Sequence, residues 1–205
     1  MVSVYQLKTG FQNILRPITN FLAKIGITAN QVTVFAFFLS CLAGGLVYYF
    51  FPKTVLIFLI LPLILFVRMA LNAIDGMLAR EHNQKSNLGA ILNELGDILS
   101  DVVIYVPFLY VLGINAYLVM LVAILTVTSE TCGIMGLQIG ASRRYDGPMG
   151  KSDRAFWFSV LAVVLMCKPL NLTILNIAIY IVVFLLMWTI VNRVKNALKE
   201  CGTKS

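Results

Sequence analysis

Long apolar runs dominate this chain of 205 residues and restrict what it can fold into. Crossing the hydrocarbon of a bilayer takes about 20 residues of helix, and six such spans can be placed, the fifth of them short. They run roughly over 29–51, 54–79, 88–112, 116–139, 154–169 and 171–192. Only 12% of the residues are charged, about half of what a soluble domain carries. The sequence therefore predicts an all-α integral membrane protein with six transmembrane helices.

A segment with helical periodicity precedes the first span. Apolar residues recur every three or four positions from Val4 to Ile25, with cations and amides between them. This pattern is typical of an amphipathic helix that lies in the membrane interface. Pro17 cannot donate a backbone hydrogen bond and is expected to break this helix into two short pieces. The predicted organisation is an amphipathic segment at 1–27, a six-helix membrane domain at 28–198 and a cytoplasmic tail at 199–205.

The cations fall on one side of the predicted spans. If both termini are cytoplasmic, only Lys53 and Lys168 of the 16 Lys and Arg residues lie on the far side. The positive-inside rule then predicts cytoplasmic termini and a cytoplasmic polar cluster. The formal charge of +7 indicates attraction to anionic headgroups and anionic substrates, and we expect no nucleic-acid partner.

A polar cluster interrupts the second and third spans. Asn72 and Asp75 are three residues apart, and Asn93, Asp97 and Asp101 follow one another at intervals of four. Each group lines one face of a helix, and ionisable groups at membrane depth are costly enough to indicate a functional site. Two such faces opposed would form an oxygen-rich pocket that suits Mg2+ or Mn2+.

The residues around this cluster carry a family resemblance. The stretch 72–97 is similar to the signature of the CDP-alcohol phosphotransferase family, D-x2-D-G-x2-A-R-x8-G-x3-D-x3-D. Six positions match at the family's intervals: Asp75, Gly76, Ala79, Arg80, Gly89 and Asp97. Asn72 and Asn93 stand where the family has aspartates. The segment 27–33 before the first span also resembles that family.

The resemblance implies an activity and a set of roles. Family members transfer a phosphatidyl group from CDP-diacylglycerol to an alcohol and release CMP, as a step of phospholipid biosynthesis. Their aspartates hold one or two divalent ions, Mg2+ or Mn2+, and the last aspartate, here Asp97, serves as general base. The implied metal ligands are Asn72, Asp75, Asn93 and Asp97. The residues expected to bind the donor are Asn30, Thr33, Gly76, Ala79, Arg80 and Gly89.

The two asparagines lower the negative charge of the expected site. An asparagine still offers a carbonyl oxygen to a metal, but it carries no charge. Asp101, one turn beyond Asp97, is therefore added to the expected metal ligands because it would restore a charge, and Glu94 would serve as well. Glu130, a further acid at membrane depth, is expected to pair with Arg68 or another cation rather than to face the cavity.

Cations crowd the segment between the fourth and fifth spans. Arg143, Arg144, Lys151 and Arg154 are expected to bind an acceptor, and their charge favours a phosphorylated one such as glycerol 3-phosphate or inositol phosphate. Serine, glycerol and other neutral polyols stay open. The alternative interpretation of the same residues is a positive-inside topology signal in contact with lipid headgroups.

Three function classes are therefore weighed. The leading prediction is a metal-dependent CDP-alcohol phosphatidyltransferase, a homodimer by the resemblance, in a bacterial inner membrane with its active site facing the cytoplasm. The second is a catalytically inactive homologue that binds lipid or a membrane partner, motivated by Asn72 and Asn93. The third is an ion-coupled transporter, which is disfavoured because no inverted repeat is visible and the polar cluster lies toward one membrane face.

Overall fold

The computed structural model of the chain describes residues 4–51, 54–167 and 171–202. All regular elements in these ranges are helical. They are α1 Val4–Lys24, α2 Ala29–Phe50, α3 Ile60–Glu81, α4 Asn87–Val111, α5 Ala116–Met135, α6 Lys151–Cys167 and α7 Leu172–Gly202. Short 3-10 helices at Val55–Leu59 and Gly136–Ile139 lead into α3 and extend α5. Lys53, Lys168 and residues 203–205 of the predicted tail lie outside the described residues.

Four helical stretches of the described chain are long and apolar enough to cross a membrane. They are Ala29–Phe50, Leu56–Glu81, Ala116–Ile139 and Leu172–Gly202. Of the two other predicted spans, α6 has only 17 residues, and α4 carries the acids Glu94, Asp97 and Asp101. The prediction of an all-α protein with membrane-spanning helices is thus confirmed.

The first helix corrects one prediction. α1 is continuous from Val4 to Lys24 with Pro17 inside it, so the expected break is wrong. A proline in a helix interior costs about 3 kcal/mol, but residues on either side of it are held by burial. Leu15 is 7% exposed and Thr19 is fully buried, and the Thr19 hydroxyl donates to the Leu15 carbonyl at 3.1 Å. Packing on both sides of Pro17 offsets the lost backbone bond.

The chain divides into two compact units. The first contains the described residues up to Leu42 together with Leu63–Ser100. Its apolar core joins α1, α2 and α3, and the buried members are Leu15, Ala29, Val32, Ile74, Met77 and Leu78. Because Ile74, Met77 and Leu78 occupy one face of α3, the neighbouring Asp75 and Gly76 are directed to another face of the same turn.

The second unit contains Ala43–Pro62 and the described residues from Asp101 onward. Aromatic side chains organise its core: the rings of Tyr105 and Phe158 stack with centroids 4.2 Å apart, and Phe108 meets Phe158 edge to face. Gly44 permits a close helix approach, since a Cβ there would clash with the Val103 carbonyl oxygen. The ring contacts hold α4 against α6, and Gly44 lets α2 approach α4.

Candidate active site

A polar cavity of about 500 Å3 lies within the first unit, where α3 ends and α4 begins. All six residues expected to bind the donor line it: Asn30, Thr33, Gly76, Ala79, Arg80 and Gly89. Three of the expected metal ligands line it too: Asn72, Asp75 and Asn93. The structure therefore brings together residues that are up to 63 positions apart in the sequence.

Asp75 is the most enclosed acid of this cavity, with 4% of its surface exposed. The Thr33 hydroxyl of α2 donates to Asp75 Oδ2 at 2.7 Å. The Asn93 amide of α4 donates to the same oxygen at 3.4 Å. Hydrogen bonds to a carboxylate are stronger than those between neutral groups, so Asp75 is held in one orientation from two neighbouring helices.

Asp97 is held by a different pair of residues. The Asn72 amide donates to Asp97 Oδ1 at 2.9 Å. Arg68 Nη2 donates to the Asp97 backbone carbonyl at 2.9 Å and lies 3.5 Å from Oδ1. Arg68 is only 3% exposed, so these contacts place a buried cation directly behind the carboxylate.

The partner of Arg68 differs from the one that the sequence suggested. Arg68 was expected as a possible partner of Glu130, whereas the structure pairs it with Asp97. A cation inside an apolar span is a signal in itself. The spacing places Arg68 one turn before Asn72, on the polar face of α3.

The asparagines and aspartates form a crossed arrangement between α3 and α4. Asn72 of α3 donates to Asp97 of α4, and Asn93 of α4 donates to Asp75 of α3. Within the described residues, no group of three His, Cys, Asp or Glu side chains is placed to hold a metal. The site instead offers two carboxylates and two amide carbonyls. This all-oxygen donor set with a charge of about −2 fits one hard divalent cation such as Mg2+ or Mn2+.

At two positions of the cavity, a side chain larger than that of glycine would crowd neighbouring atoms. A Cβ added to Gly89 would lie 2.6 Å from Asn30 Oδ1 and 3.0 Å from Ser86 Oγ. A Cβ added to Gly76 would lie 3.1 Å from both terminal nitrogens of Arg80. Gly76 thus leaves room for the guanidinium of Arg80 against the helix, and Gly89 lets α4 approach α2 at the cavity.

The loop between α3 and α4 contributes lining residues that the sequence analysis missed. Gln84, Lys85 and Ser86 of the loop line the cavity, as does Asn87, the first residue of α4. Gln84 Oε1 accepts from the Ala29 amide at 2.7 Å, and Ser86 Oγ accepts from the Gly89 amide at 3.0 Å. A serine three residues before the glycine is a helix-start signal, and it would have located this end of the loop.

The cations expected to bind an acceptor belong to the second unit. Arg154 is fully buried, and its Nη2 lies 2.6 Å from Asp101 Oδ2 and 2.9 Å from Glu130 Oε1. The expectation that Glu130 pairs with a cation is confirmed, and the cations are Arg154, Arg193 and Arg143. Asp101 is engaged with Arg154, and its role as a metal ligand stays a prediction.

Arg144 is tied within its own segment and to α7. Its guanidinium contacts Asp146 at 2.7 Å and 2.9 Å and Glu200 at 2.8 Å. The Asp146 hydrogen bonds are the main reason that the pKa of Arg144 is raised. The same bonds lower the pKa of Asp146. The segment is therefore a network of ion pairs rather than an open basic surface.

Comparison with known proteins places these features in a family. The family described as CDP-alcohol phosphatidyltransferase matches residues 26–191. The inner membrane protein YnbA of Escherichia coli (strain K12) is 44% identical over 197 residues, which cover 96% of this chain and 97% of that protein. The chain belongs to the CDP-alcohol phosphatidyltransferase family. An uncharacterized protein of Aquifex aeolicus (strain VF5) is 34% identical over 96 residues, 47% of this chain and 46% of that protein.

Solved structures show the same fold. The phosphatidylinositol phosphate synthase PgsA1 of Mycobacterium tuberculosis with CDP-DAG bound superposes with a TM-score of 0.74 at 18% identity, over 90% of this chain and 94% of that one. The same enzyme in complex with manganese and citrate gives a TM-score of 0.73 at 17% identity, over 89% and 88%. At this identity the likeness establishes the fold.

Proposed function

We propose that this protein transfers the phosphatidyl group of CDP-diacylglycerol to an alcohol acceptor and releases CMP, as a step of phospholipid biosynthesis. The observation that carries the proposal is the cavity of the first unit. It gathers five of the six matched signature residues together with Asn30 and Thr33 of α2. The sixth, Asp97, accepts a hydrogen bond from the lining residue Asn72. Family membership supports the reaction class, and the presence of CDP-DAG in the PgsA1 structure supports the donor.

Residues of the cavity, together with Asp97 and Arg68, suit distinct parts of this reaction. The oxygen of the acceptor hydroxyl would form a bond to the phosphorus that bears the lipid, and the bond from that phosphorus to the CMP oxygen would break. CMP leaves with the bonding electron pair. Asp97 takes the hydroxyl proton as general base, and Arg68 and Asn72 fix its orientation. Arg80 offers a planar fork of donors to the diphosphate.

Asp75, Asp97, Asn72 and Asn93 are the residues that would hold a divalent ion. Bound there, Mg2+ or Mn2+ would neutralise charge on the diphosphate and improve CMP as a leaving group. A manganese ion is part of one PgsA1 structure. Two carboxylates and two amides favour a single ion in this chain, since the donor set carries about two negative charges. Thr33 contributes by fixing Asp75.

The proposed setting is a bacterial inner membrane crossed six times. α4 and α6 would join the four apolar stretches as spans, with Asp97 and Asp101 of α4 paired with arginines rather than facing lipid. The distribution of Lys and Arg supports cytoplasmic termini and a cytoplasmic active site, and the name of the Escherichia coli relative supports the inner membrane. We expect a homodimer, as the family resemblance implies.

A CMP-release assay tests the proposal. Purified protein in nanodiscs is supplied with CDP-diacylglycerol, Mg2+ or Mn2+, and a panel of alcohol acceptors. We expect divalent-dependent CMP release that one acceptor stimulates and that Asp97→Asn abolishes. Glu81→Gln is the matched control, because it makes the same carboxylate-to-amide change at an exposed ion pair with Arg16 and should stay active.

A second candidate function is a non-catalytic homologue that binds lipid. Asn72 and Asn93 favour it, because each removes a charge that the family signature carries. The same preparation separates the two. Saturable binding of CDP-diacylglycerol by folded protein, with no CMP release across the whole panel under either metal, would favour the binding role over the enzyme.

A further inference from the structure

The charged residues that line the cavity of the first unit are two cations and one acid: Arg80, Lys85 and Asp75. Asp75 is buried, with 4% exposure, whereas both cations are exposed. Asp97, which lies close to the lining, adds little charge because Arg68 pairs with it. The charge that a ligand entering the cavity meets first is therefore positive.

Arg80 lies against α3 beside the proposed metal ligands. Both of its terminal guanidinium nitrogens lie 3.1 Å from the position that a Cβ on Gly76 would occupy. Gly76 is the neighbour of Asp75, so the guanidinium is folded back by about one helical turn toward that carboxylate. Within the part of the chain that the structure describes, no hydrogen bond or ion pair engages Arg80. Its planar set of donors is available to an anion.

Lys85 is held at the same cavity by the residues on either side of it. Gln84 Oε1 accepts from the Ala29 amide at 2.7 Å, and Ser86 Oγ accepts from the Gly89 amide at 3.0 Å. The loop is thus anchored to α2 just before Lys85 and to α4 just after it. The Lys85 ammonium has no carboxylate partner among the described residues. A fixed backbone lowers the conformational entropy that is lost when a ligand binds.

Other arginines of the first unit are neutralised by carboxylates. Arg16 pairs with Glu81, and Arg68 pairs with Asp97. The two cations of the cavity differ from these because they have no such partner in the described chain and share one concave surface. A concave site with walls of low dielectric concentrates the field of its charges. The two cations should therefore attract an anion more strongly than isolated surface cations do.

The two asparagines decide the sign of the charge in this cavity. Asn72 and Asn93 line it at positions where the family signature has aspartates. With aspartates there, the lining would hold three acids against two cations. A diphosphate would then be repelled until a divalent ion bound. With asparagines, the lining is positive before any ion is present.

We propose that this cavity binds the diphosphate of a CDP-linked donor without a metal ion, through Arg80 and Lys85, and that Asn72 and Asn93 make this possible. The inference rests on the proposed function for the identity of the donor. Each phosphate of a diphosphate diester carries a negative charge, which matches the two cations. Capture of the donor then needs no divalent ion, and only the departure of CMP depends on one. Lys85 becomes a donor-binding residue at a position that the family signature leaves open.

Binding of CDP-glycerol, a soluble diphosphate diester without acyl chains, tests the inference. Calorimetric titration is carried out in EDTA with the full chain in nanodiscs of neutral lipid. We expect saturable binding by the wild type that Lys85→Gln weakens by about 10-fold. Lys24→Gln is the matched control and should bind normally, because it makes the same change at an exposed lysine of α1 that lies outside the cavity lining.

Restoring the acids of the signature tests the role of the asparagines. Asn72→Asp combined with Asn93→Asp should weaken binding in EDTA by at least about 10-fold and recover it in Mg2+. That recovery also shows that the variant is folded. Asn93→Asp alone serves if the double variant does not fold, since the Asn93 amide makes the longer contact, 3.4 Å to Asp75. Binding in EDTA as tight as that of the wild type would overturn the inference.

Two other results would also overturn it. One is binding in EDTA that Lys85→Gln leaves unchanged, and the other is wild-type binding that appears only with Mg2+. Neither result bears on the transferase function, which CMP release tests separately. Lys85-dependent binding in EDTA, with no CMP release from any acceptor, would support the inference and count against the transferase.

Discussion

Replacing Arg68 by methionine is the perturbation whose outcome the structure defines best. The guanidinium donates to the Asp97 carbonyl at 2.9 Å and lies 3.5 Å from its carboxylate. A hydrogen bond from a charged donor contributes about 1.5–3 kcal/mol. The ion pair adds less than a fully buried one, because the Asp97 side chain keeps 19% exposure. We therefore expect Arg68→Met to lower the free energy of unfolding by about 3 kcal/mol.

For a chain of this size, that loss corresponds to a fall in Tm of about 6–12 °C. The measurement is thermal unfolding in detergent, with Arg16→Met as a control that removes a cation from an exposed pair and should change Tm little. CMP release should fall by about 10- to 100-fold at substrate saturation, because Asp97 loses the contact that fixes its position.

A double-mutant cycle with Asp97→Asn separates the ion pair from general packing. If the pair matters, Arg68→Met should cost about 1–2 kcal/mol less in the Asp97→Asn background than in the wild type. Strictly additive effects would refute the proposed pairing, and an unchanged rate in a well-folded Arg68→Met protein would refute its role in positioning Asp97.

Three further predictions concern other contacts. Thr33→Val should destabilise the protein by about 1–3 kcal/mol, because it leaves a buried carboxylate short of a 2.7 Å hydrogen bond. Thr131→Val removes a hydroxyl that donates to the Val127 carbonyl of its own helix and should cost less. Equal losses in Tm for the two variants would contradict this. Gly89→Ala should impair CDP-diacylglycerol binding by forcing a lining amide into the cavity, whereas Gly45→Ala, with no atom within 4 Å, should bind normally. The pKa of Asp146 is lowered in the folded protein, so the carboxylate stabilises the fold at a pH above its unfolded pKa. That contribution is lost as the pH falls through the lower folded pKa. The difference in unfolding free energy between wild type and Asp146→Asn should therefore disappear below about pH 4, and a difference that grew there would contradict the reasoning.

The sequence predicts the cavity well because helical periodicity fixes which residues share a face. The face of Asn72 and Asp75 was expected to oppose the face of Asn93, Asp97 and Asp101. The hydrogen bonds from Asn72 to Asp97 and from Asn93 to Asp75 bear out that juxtaposition for Asn93 and Asp97. The small residues of the signature, Gly76, Ala79 and Gly89, could likewise be assigned to the cavity from the sequence alone. The loop between α3 and α4 was not predicted to line the cavity, since Gln84 bonds to a residue 55 positions away.

Ion pairing was less predictable from the sequence. Steps of four residues rotate by about 40° on a helix, so Asp101 lies about 80° around α4 from Asn93. It pairs with the buried Arg154, a partner that the helical spacing alone does not indicate. Arg68 and Glu130 are both ions at membrane depth, but the pattern cannot say which opposite charge packs against each. Those partners are set by how the helices pack.

Hydropathy located apolar spans but not where each helix ends. The sixth predicted span ends at residue 192, where cations begin, whereas α7 continues to Gly202. The first residue beyond the predicted span is Arg193, which is almost fully buried. A charged side chain ends a hydrophobic run whether or not it finds a partner inside the protein, so hydropathy cannot distinguish the two cases.

The crossed pairing of Asn72 with Asp97 and of Asn93 with Asp75 bears on how the protein matures. Four carboxylates facing one another would repel until cations arrived, which would couple insertion and folding to the local supply of metal. Here each carboxylate meets an amide donor supplied by the chain itself. We therefore expect the bundle to close in the bilayer before any ion is loaded. For the divalent ion proposed above, we therefore expect late and reversible loading that depends on the free concentration of that ion.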